Sequence, residues 1–568
     1  MTTLPAAATR SLDVDRLGWI AAAVVVVVAA ALRFVGLGDY WLNPDEGIYY
    51  SVISWPDLAR RQAEIAANAH PPFYYHFLWL WSRVSMDIAW LRVPAAAAGT
   101  VGVAGLYLLG REVATGARGI VGGLLAALAL ALSPSAITLS QLVRPYTLQV
   151  ALLVFALWAL LRWHHRRGTA ALLTFSLCTT VALLTHYSSV FVLAAALVPL
   201  AVLALRRQLG RRDVVALAVA SALPLLAVAW IYLAHVRPQL EGKALQASAF
   251  QTWLRPFIAQ DLPQVWRQAM GVAGYVLGYS WSGVGIVALI VAVGVAVARG
   301  TAIVWLPTLS AFLLAATASL AHKYPFGPAR HSVYLAPFLL VPIAWVVALG
   351  LLGRAWARAV TLVALVLLGV GRVQVFDTLA GGKRVSTLGD EQVLARADFD
   401  EARVLLDRLK SSPGLLVMSI DSSHTLCPLW TEERAASRVV EDMRVFRWGQ
   451  RDVLVHSAWS FGMQGAELGT GSHIFDFLTK ADRVLPELHV GAQRRLPMVF
   501  AGFTGTTMQA LAAVDQERAK RGKKSGLVVG AVGKKGFGLL ELDAAQFLAE
   551  AKVELGLQGR NVPGPATR

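Results

Sequence analysis

Residues 169–205 read TAALLTFSLCTTVALLTHYSSVFVLAAALVPLAVLAL, with no Asp, Glu, Lys or Arg anywhere in the run. As one α-helix this stretch would rise about 55 Å, nearly twice a hydrocarbon core of about 30 Å. It therefore predicts two membrane spans, divided at His186-Tyr187-Ser188-Ser189. Similar runs recur along the chain. Spans are predicted near 17–37, 88–110, 118–139, 144–163, 169–185, 187–205, 214–234, 271–298, 301–321, 331–352 and 355–373, eleven in all. Composition agrees: the 568 residues are 56% hydrophobic and only 15% charged. Mean hydropathy is +0.55. Too few charges are present to cover a soluble surface of this size.

The basic residues set the orientation. Phe73–Val84 is the ambiguous segment; twelve residues make about 18 Å of helix, too short to cross. With this segment in the interface, one side collects Arg111, Arg118, Arg162, Arg166, Arg167, Arg206, Arg207, Arg211, Arg212, Arg299, Arg354 and Arg358. Cytoplasmic loops carry such an excess. Counting it as a twelfth span would put all these arginines outside. The net charge of +17 is thus explained by topology, with anionic lipid headgroups as partners and no nucleic acid. Ile20–Ala31 could pass for a signal-peptide core. The apolar stretch runs on past Arg33 to about Gly38 without an evident cleavage site, and a retained signal-anchor is expected.

Two cysteines, Cys178 in an apolar run and Cys427 in a polar one, provide no disulfide framework. The abundance of Ala, Val, Leu, Arg and Gly suggests a GC-rich bacterial genome and hence a bacterial plasma membrane. An odd span count with the N-terminus inside places the tail outside. The expected organisation is a transmembrane catalytic domain over 1–373, with an outer loop at 38–87, and a soluble extracytoplasmic mixed α/β domain over 374–568. In the tail, Arg403–Leu409 and Met508–Lys520 read as helices, Gly414–Ile420 and Val453–Ala458 as buried strands, and Gly526–Gly538 as a surface hairpin. Leu557–Arg568 reads as a loose tail.

Once the chain is oriented, the versatile side chains lie at the outer ends: Asp45, Glu46, His70, Arg144, Tyr146, His186, Tyr187, His322, Lys323, Tyr324, Arg330, His331 and Tyr334. Ionisable groups in or beside spans are costly and mark function. Asn43-Pro44-Asp45-Glu46 also has a structural reading, in which Asn caps a helix, Pro starts it and Glu46 completes a capping box. That reading leaves Asp45 the freer acid. His70-Pro71-Pro72-Phe73-Tyr74-Tyr75 reads as a rigid turn feeding an interfacial aromatic helix. Ser140–Tyr146 is a tight outer turn. The basic loop His322–His331 opposes the inward trend of positive charge, and binding a phosphate would account for it. No His-x-x-x-His or Cys-x-x-Cys spacing is present, so no metal or other cofactor is expected, a divalent ion being the alternative. Asp421-Ser422-Ser423-His424 lacks a nucleophile-elbow pattern.

Arg33-Phe34-Val35-Gly36-Leu37 followed by Asp45-Glu46-Gly47-Ile48-Tyr49 resembles the first outer loop of glycosyltransferase family 39. His70–Tyr75, the Arg92-centred start of the second span and Arg144-Pro145-Tyr146 extend the resemblance over roughly 17–375. This group includes protein O-mannosyltransferases and is similar to the lipid A aminoarabinose transferases. The resemblance implies the C-type membrane glycosyltransferase fold. It also implies transfer of a sugar, with inversion, from a polyprenyl-phosphate donor to an extracytoplasmic acceptor (protein, lipid or glycan). On that reading Asp45 is the base and Glu46 its support. His70, Arg144, Tyr146, Lys323 and Arg330 would bind the donor phosphate, with Tyr74, His186, His322, His331 and Tyr334 supporting. Two departures stand out. Ala69-His70 replaces the Glu-Lys of the aminoarabinose transferases, and Arg330 is followed by His331 with the tyrosine delayed to Tyr334. The alternative function is a lipid-linked glycan transporter or flippase with an outer accessory domain. Transporters carry broken helices near the midplane, whereas these ionisable groups keep to one face.

Overall fold

The computed structural model describes residues 6–68, 70–241, 255–278, 282–355, 357–359, 396–440, 443–456, 496–501, 527–530 and 537–542. Two units emerge, Met1–Leu37 with Gln62–Gly389, and Gly38–Arg61 with Asp390–Arg568. Along the chain the helices are α1 (Ala6–Phe34), α2 (Pro44–Ile53), α3 (Leu58–Ala67), α4 (Phe73–Trp81), α5 (Ile88–Val113), α6 (Gly116–Ala131), α7 (Pro134–Ser140) and α8 (Tyr146–Arg166). Next come α9 (Thr169–Thr185), α10 (Ser189–Leu205), α11 (Arg211–Ile231), α12 (Arg237–Glu241), α13 (Leu262–Leu277), α14 (Ser282–Ala298), α15 (Ala302–Leu320) and α16 (Ala336–Leu351). A 3-10 segment, Arg330–Leu335, leads into α16.

The first unit is a helical polytopic membrane domain. Among the described residues, five helical stretches are long and apolar enough to cross a bilayer, and seven if each bent pair counts once. The apolar α9 and α10, of 17 residues each, rise only about 25 Å. The predicted break in 169–205 lies between Thr185 and Ser189. Nine residues in α4 are again too short to span. Two predicted spans differ. Residues 118–139 form α6 and α7, bent by 61°. Ser133 caps α7, accepting from the Ala136 N–H (3.4 Å) and donating to the Val276 carbonyl (2.7 Å), with Pro134 in the first turn. Likewise 271–298 is two helices. Asp261 starts α13 by accepting from the Gln264 N–H at 2.7 Å, and Gly278 ends it at φ +106°. The predicted span 355–373 falls mostly outside the described residues.

Helix α5 is central, packing against α1, α6 and α8. Close approach to α6 depends on glycine: a Cβ on Gly110 would sit 2.7 Å from Gly123 Cα. Small residues let membrane helices approach in this way. Arg33 is fully buried, and its guanidinium donates to the Ala29, Leu130 and Ala131 carbonyls at 3.1, 2.9 and 3.2 Å, satisfying the C-terminal end of α6. Arg92 is buried too and donates to the Leu37 carbonyl (2.7 Å). At one end of the bundle Arg111 meets Asp15 (2.8 Å), Glu112 faces Arg162, His165 and Arg166, and Arg167 faces Asp213 (3.7 Å). Four of the arginines grouped by the sequence, Arg111, Arg162, Arg166 and Arg167, take part in these pairs.

Among the described residues, the second unit contains α17 (Arg396–Ser411), α18 (Ile420–Thr425), α19 (Thr431–Ala435) and a seven-stranded mixed sheet of order β2-β3-β4-β1-β5-β7-β6. The strands are β1 (Gly414–Ser419), β2 (Arg438–Val440), β3 (Met443–Trp448), β4 (Arg451–His456), β5 (Leu496–Ala501), β6 (Leu527–Gly530) and β7 (Phe537–Leu542). Central β1 runs parallel to β4 and β5, and the other pairs are antiparallel. Leu415 and Leu416 on β1 and Val453 and Leu454 on β4 are buried on both faces, which accounts for their unbroken apolar runs. The predicted helix near 403–409 and the strands at 414–420 and 453–458 are present as α17, β1 and β4. The pairing of β6 with β7 makes the expected hairpin. Met508–Lys520 and Leu557–Arg568 lie outside the described residues.

Candidate active site

In the membrane unit, four turns and helix ends bring basic side chains together. His70 lies in the turn before α4; Arg144 precedes α8 and Tyr146 begins it; His186 caps the end of α9; Arg330 and His331 open the 3-10 segment. The His70 and His186 rings lie 5.0 Å apart, and His186 and His331 lie 6.2 Å apart. Tyr146 sits among all three, at 6.0, 5.2 and 6.0 Å from His70, His186 and His331. Arg144 is buried, lies 5.3 Å from the Tyr146 ring centre, and donates to its hydroxyl at 3.1 Å.

The hydrogen bonds fix the tautomer of His186. The Ser188 backbone N–H approaches His186 Nδ1 at 3.3 Å and can only donate. The Ser188 hydroxyl also lies 2.9 Å from Nδ1, while Gln149 Nε2 donates to that hydroxyl (2.8 Å). Nδ1 is therefore the acceptor, and the neutral ring carries its proton on Nε2. That Nε2 is buried without a hydrogen-bond partner among the described residues. The imidazole therefore presents an Nε2–H donor to the cluster.

Burial, then the positive fields of Arg144 and Arg330, push His186 down to about 3. His70 is held well below its ordinary value by burial first, then by His186, Arg144, His331 and Arg330. Among the described residues, the charged and titratable groups that shift His70 are His186, Arg144, His331 and Arg330, all basic. A cluster of this composition favours an anion over a cation. Among the described residues no group of three or more His, Cys, Asp or Glu is placed to hold a metal ion.

Other candidates from the sequence lie on α4, in the turn that closes α15 and in the 3-10 segment. His322 and Lys323 are exposed in the turn that closes α15, with His322 at φ +55°; neither is among the groups acting on His70. Tyr334 is buried and stacks on Phe191 at 5.8 Å, and Tyr74 is buried on α4. Gln149 and Ser188 were missed by the sequence reading. Gln149 carried a signal, as a lone amide one turn into an apolar span. Leu109, Leu157, Leu161, Pro199, Pro307 and Pro342 line an open apolar groove.

Asp45 and Glu46 belong to the second unit. Asn43 Oδ1 accepts from the Glu46 N–H (2.8 Å), and the Asn43 N–H donates to Glu46 Oε2 (3.2 Å). This capping box buries Glu46 and occupies one of its oxygens. Asp45, the second residue of α2, is half-buried.

Residues 69–232 match the sequence profile of the family described as dolichyl-phosphate-mannose-protein mannosyltransferase. No curated protein matches the sequence. Among solved structures, ArnT from Cupriavidus metallidurans bound to undecaprenyl phosphate aligns at TM-score 0.50 and 16% identity, over 93% of this chain and 99% of that one. The chain shares the fold of that protein over this length. AglB, the oligosaccharyltransferase of Archaeoglobus fulgidus in complex with an inhibitory peptide and a dolichol-phosphate, aligns at TM-score 0.50 and 13% identity, over 94% of this chain and 77% of that one. Of the basic cluster, His70, Arg144, Tyr146 and His186 lie inside the matched profile, and Arg330 and His331 lie beyond it.

Proposed function

We propose that this protein is a membrane glycosyltransferase that moves a sugar from a polyprenyl-phosphate donor to an extracytoplasmic acceptor hydroxyl, with inversion. The observation that carries this reading is the buried cluster of His70, Arg144, His186, Arg330 and His331, from which the His186 Nε2 proton is offered without a partner among the described residues. The leaving group is a lipid phosphate. Cations and a preorganised imidazole donor, removed from water, are suited to its developing charge. Lys323, Tyr146, Tyr74, His322 and Tyr334 take supporting roles. Asp45 accepts the proton of the acceptor hydroxyl as the nucleophile closes on the anomeric carbon. Glu46, engaged with Asn43, holds the start of α2. No nucleotide enters the step, because the sugar arrives activated on its lipid. The apolar groove suits part of the prenyl chain.

The proposed topology is eleven spans in a bacterial plasma membrane, with the N-terminus cytoplasmic and the C-terminal domain outside. The test is incubation of the purified protein with a panel of polyprenyl-phosphate sugars, hexose and pentose. Consumption of one donor with release of free polyprenyl phosphate is expected. A protein that relocates the lipid and leaves every donor intact is a flippase, and that outcome overturns the proposal. Asp45→Asn is expected to fold and bind donor while transferring about 10²–10⁴-fold more slowly; turnover at the wild-type rate would remove Asp45 from the mechanism.

A further inference from the structure

Helix α2 is built into the C-terminal unit. The Trp41 indole Nε1 donates to the Thr425 carbonyl at 2.7 Å, and both groups are buried. The same indole stacks on Phe399 of α17, ring centres 3.5 Å apart and planes within 7°. Arg396 donates its backbone N–H to the Asp39 carbonyl (2.8 Å), and its guanidinium lies 5.6 Å from the Trp41 ring centre. At the other end of the segment, Gly47 faces the backbone of α18. A Cβ there would collide with the His424 carbonyl and lie 2.8 Å from the Thr425 nitrogen. Backbone cannot retreat as a flexible side chain can, so this contact admits glycine alone. Asp45 sits between these two fixings, four residues from Trp41 and two from Gly47.

We propose that the C-terminal unit sets the position of the catalytic acid: Trp41 and Gly47 are positioning residues that act on transfer through Asp45. The inference rests on the reading of Asp45 as the base. It assigns the sheet domain a part in the chemical step, through residues 396–425, and not in acceptor recognition alone. A displacement near 1 Å at a reacting group costs on the order of 10²-fold in rate. A Cβ at Gly47 demands a displacement of that scale.

The experiment is a double-mutant cycle on the full-length protein in lipid nanodiscs, using the donor identified by the panel. Gly47→Ala, Trp41→Phe and Asp45→Asn are compared singly, and the first two also in the Asp45→Asn background. Transfer rate, acceptor KM, polyprenyl-phosphate affinity and thermal unfolding are measured. Gly47→Ala is expected to lower kcat about 10–100-fold with acceptor KM and lipid affinity within about twofold. Trp41→Phe keeps an aromatic ring against Phe399, loses the bond to Thr425, and lowers kcat about 3–10-fold. In the Asp45→Asn background neither substitution lowers the rate further. Wild-type kcat in both single variants overturns the inference, and so does a full additional loss in the Asp45→Asn background. A rise in acceptor KM with kcat unchanged also overturns it, since the domain would then serve acceptor binding. Should Gly47→Ala fail to fold, Trp41→Phe carries the cycle alone. A wild-type rate in Asp45→Asn sinks the assignment of Asp45 itself, whereas a slow Asp45→Asn beside fast Gly47→Ala and Trp41→Phe sinks only the positioning role.

Discussion

His186 and His70 are neutral at pH 7 because burial and two guanidinium groups oppose their protonation. An arriving phosphate reverses that field, so one imidazole takes up a proton as the lipid binds. Affinity for polyprenyl phosphate is expected to rise as pH falls from about 7.5 to 6, by up to about tenfold per unit for each proton taken up. Calorimetry in buffers of different ionisation enthalpy reads this uptake directly; no buffer dependence would remove the histidines from the phosphate site. Without lipid the sign is opposite. Both folded-state values lie below the ordinary value of about 6.5, so the stabilisation is complete above 6.5. It is lost as pH falls from there through about 3 for His186, and the melting temperature of the lipid-free protein should decline over that window. Arg330→Ala should weaken lipid phosphate binding about 10–100-fold, as expected for a charge-assisted hydrogen bond. An effect confined to acceptor use would instead move Arg330 out of the phosphate site. The cluster was legible as residue types at the outer ends of spans. Its internal hydrogen bonds were not, because the Gln149–Ser188–His186 chain joins residues 37 to 39 positions apart. Lys323 and His322 share the basic character of the cluster, yet the turn closing α15 leaves both exposed.

At the scale of elements, hydropathy located the apolar segments but not the bends inside them. The break at His186–Ser188 was visible because a single helix would have been too long. Ser133-Pro134 interrupts a run of ordinary length, so only the capping chemistry betrays it: a serine N-cap with proline at the first helical position. Capping chemistry was legible at Asn43–Glu46, where the box forms as written. Pairing between helices depends on small residues that leave little hydropathy signal. Gly123 is the sharpest case, since a Cβ there would lie 2.5 Å from the Tyr107 carbonyl and 3.0 Å from the Arg111 nitrogen. Gly123→Val is expected to destabilise the bundle by about 1–3 kcal/mol through overpacking. Thermal unfolding in detergent checks this, with Gly168→Val, where a Cβ meets nothing within 4 Å, as the comparison. Equal melting temperatures for the two variants would mean that α5 and α6 are less tightly joined than their backbones imply.

Across the membrane unit, charged groups gather at separate places. Arg111, Arg162, Arg166 and Arg167 pair with Asp15, Glu112 and Asp213 at one end of the membrane unit, while His70, Arg144, His186 and Arg330 gather apart from them. The sorting was legible because arginine-rich loops recur at each second turn of the chain. Membership of α2 in the C-terminal unit was not, since it depends on contacts across some 380 residues of sequence, such as Trp41 with Thr425. Positive-inside sorting implies that the arginine end faces the cytoplasm, and single cysteines test it. Cys178 is partly buried and Cys427 buried, so both are first replaced by serine. Arg118→Cys and Arg212→Cys mark one end and His322→Cys the other, all at exposed positions. In intact cells a membrane-impermeant maleimide should label His322→Cys and leave the other two untouched until the membrane is permeabilised. Labelling of Arg212→Cys in intact cells would invert the topology and put the basic cluster on the cytoplasmic side. The donor lipid would then have to be glycosylated and used on the same face, and an extracytoplasmic acceptor would be out of reach.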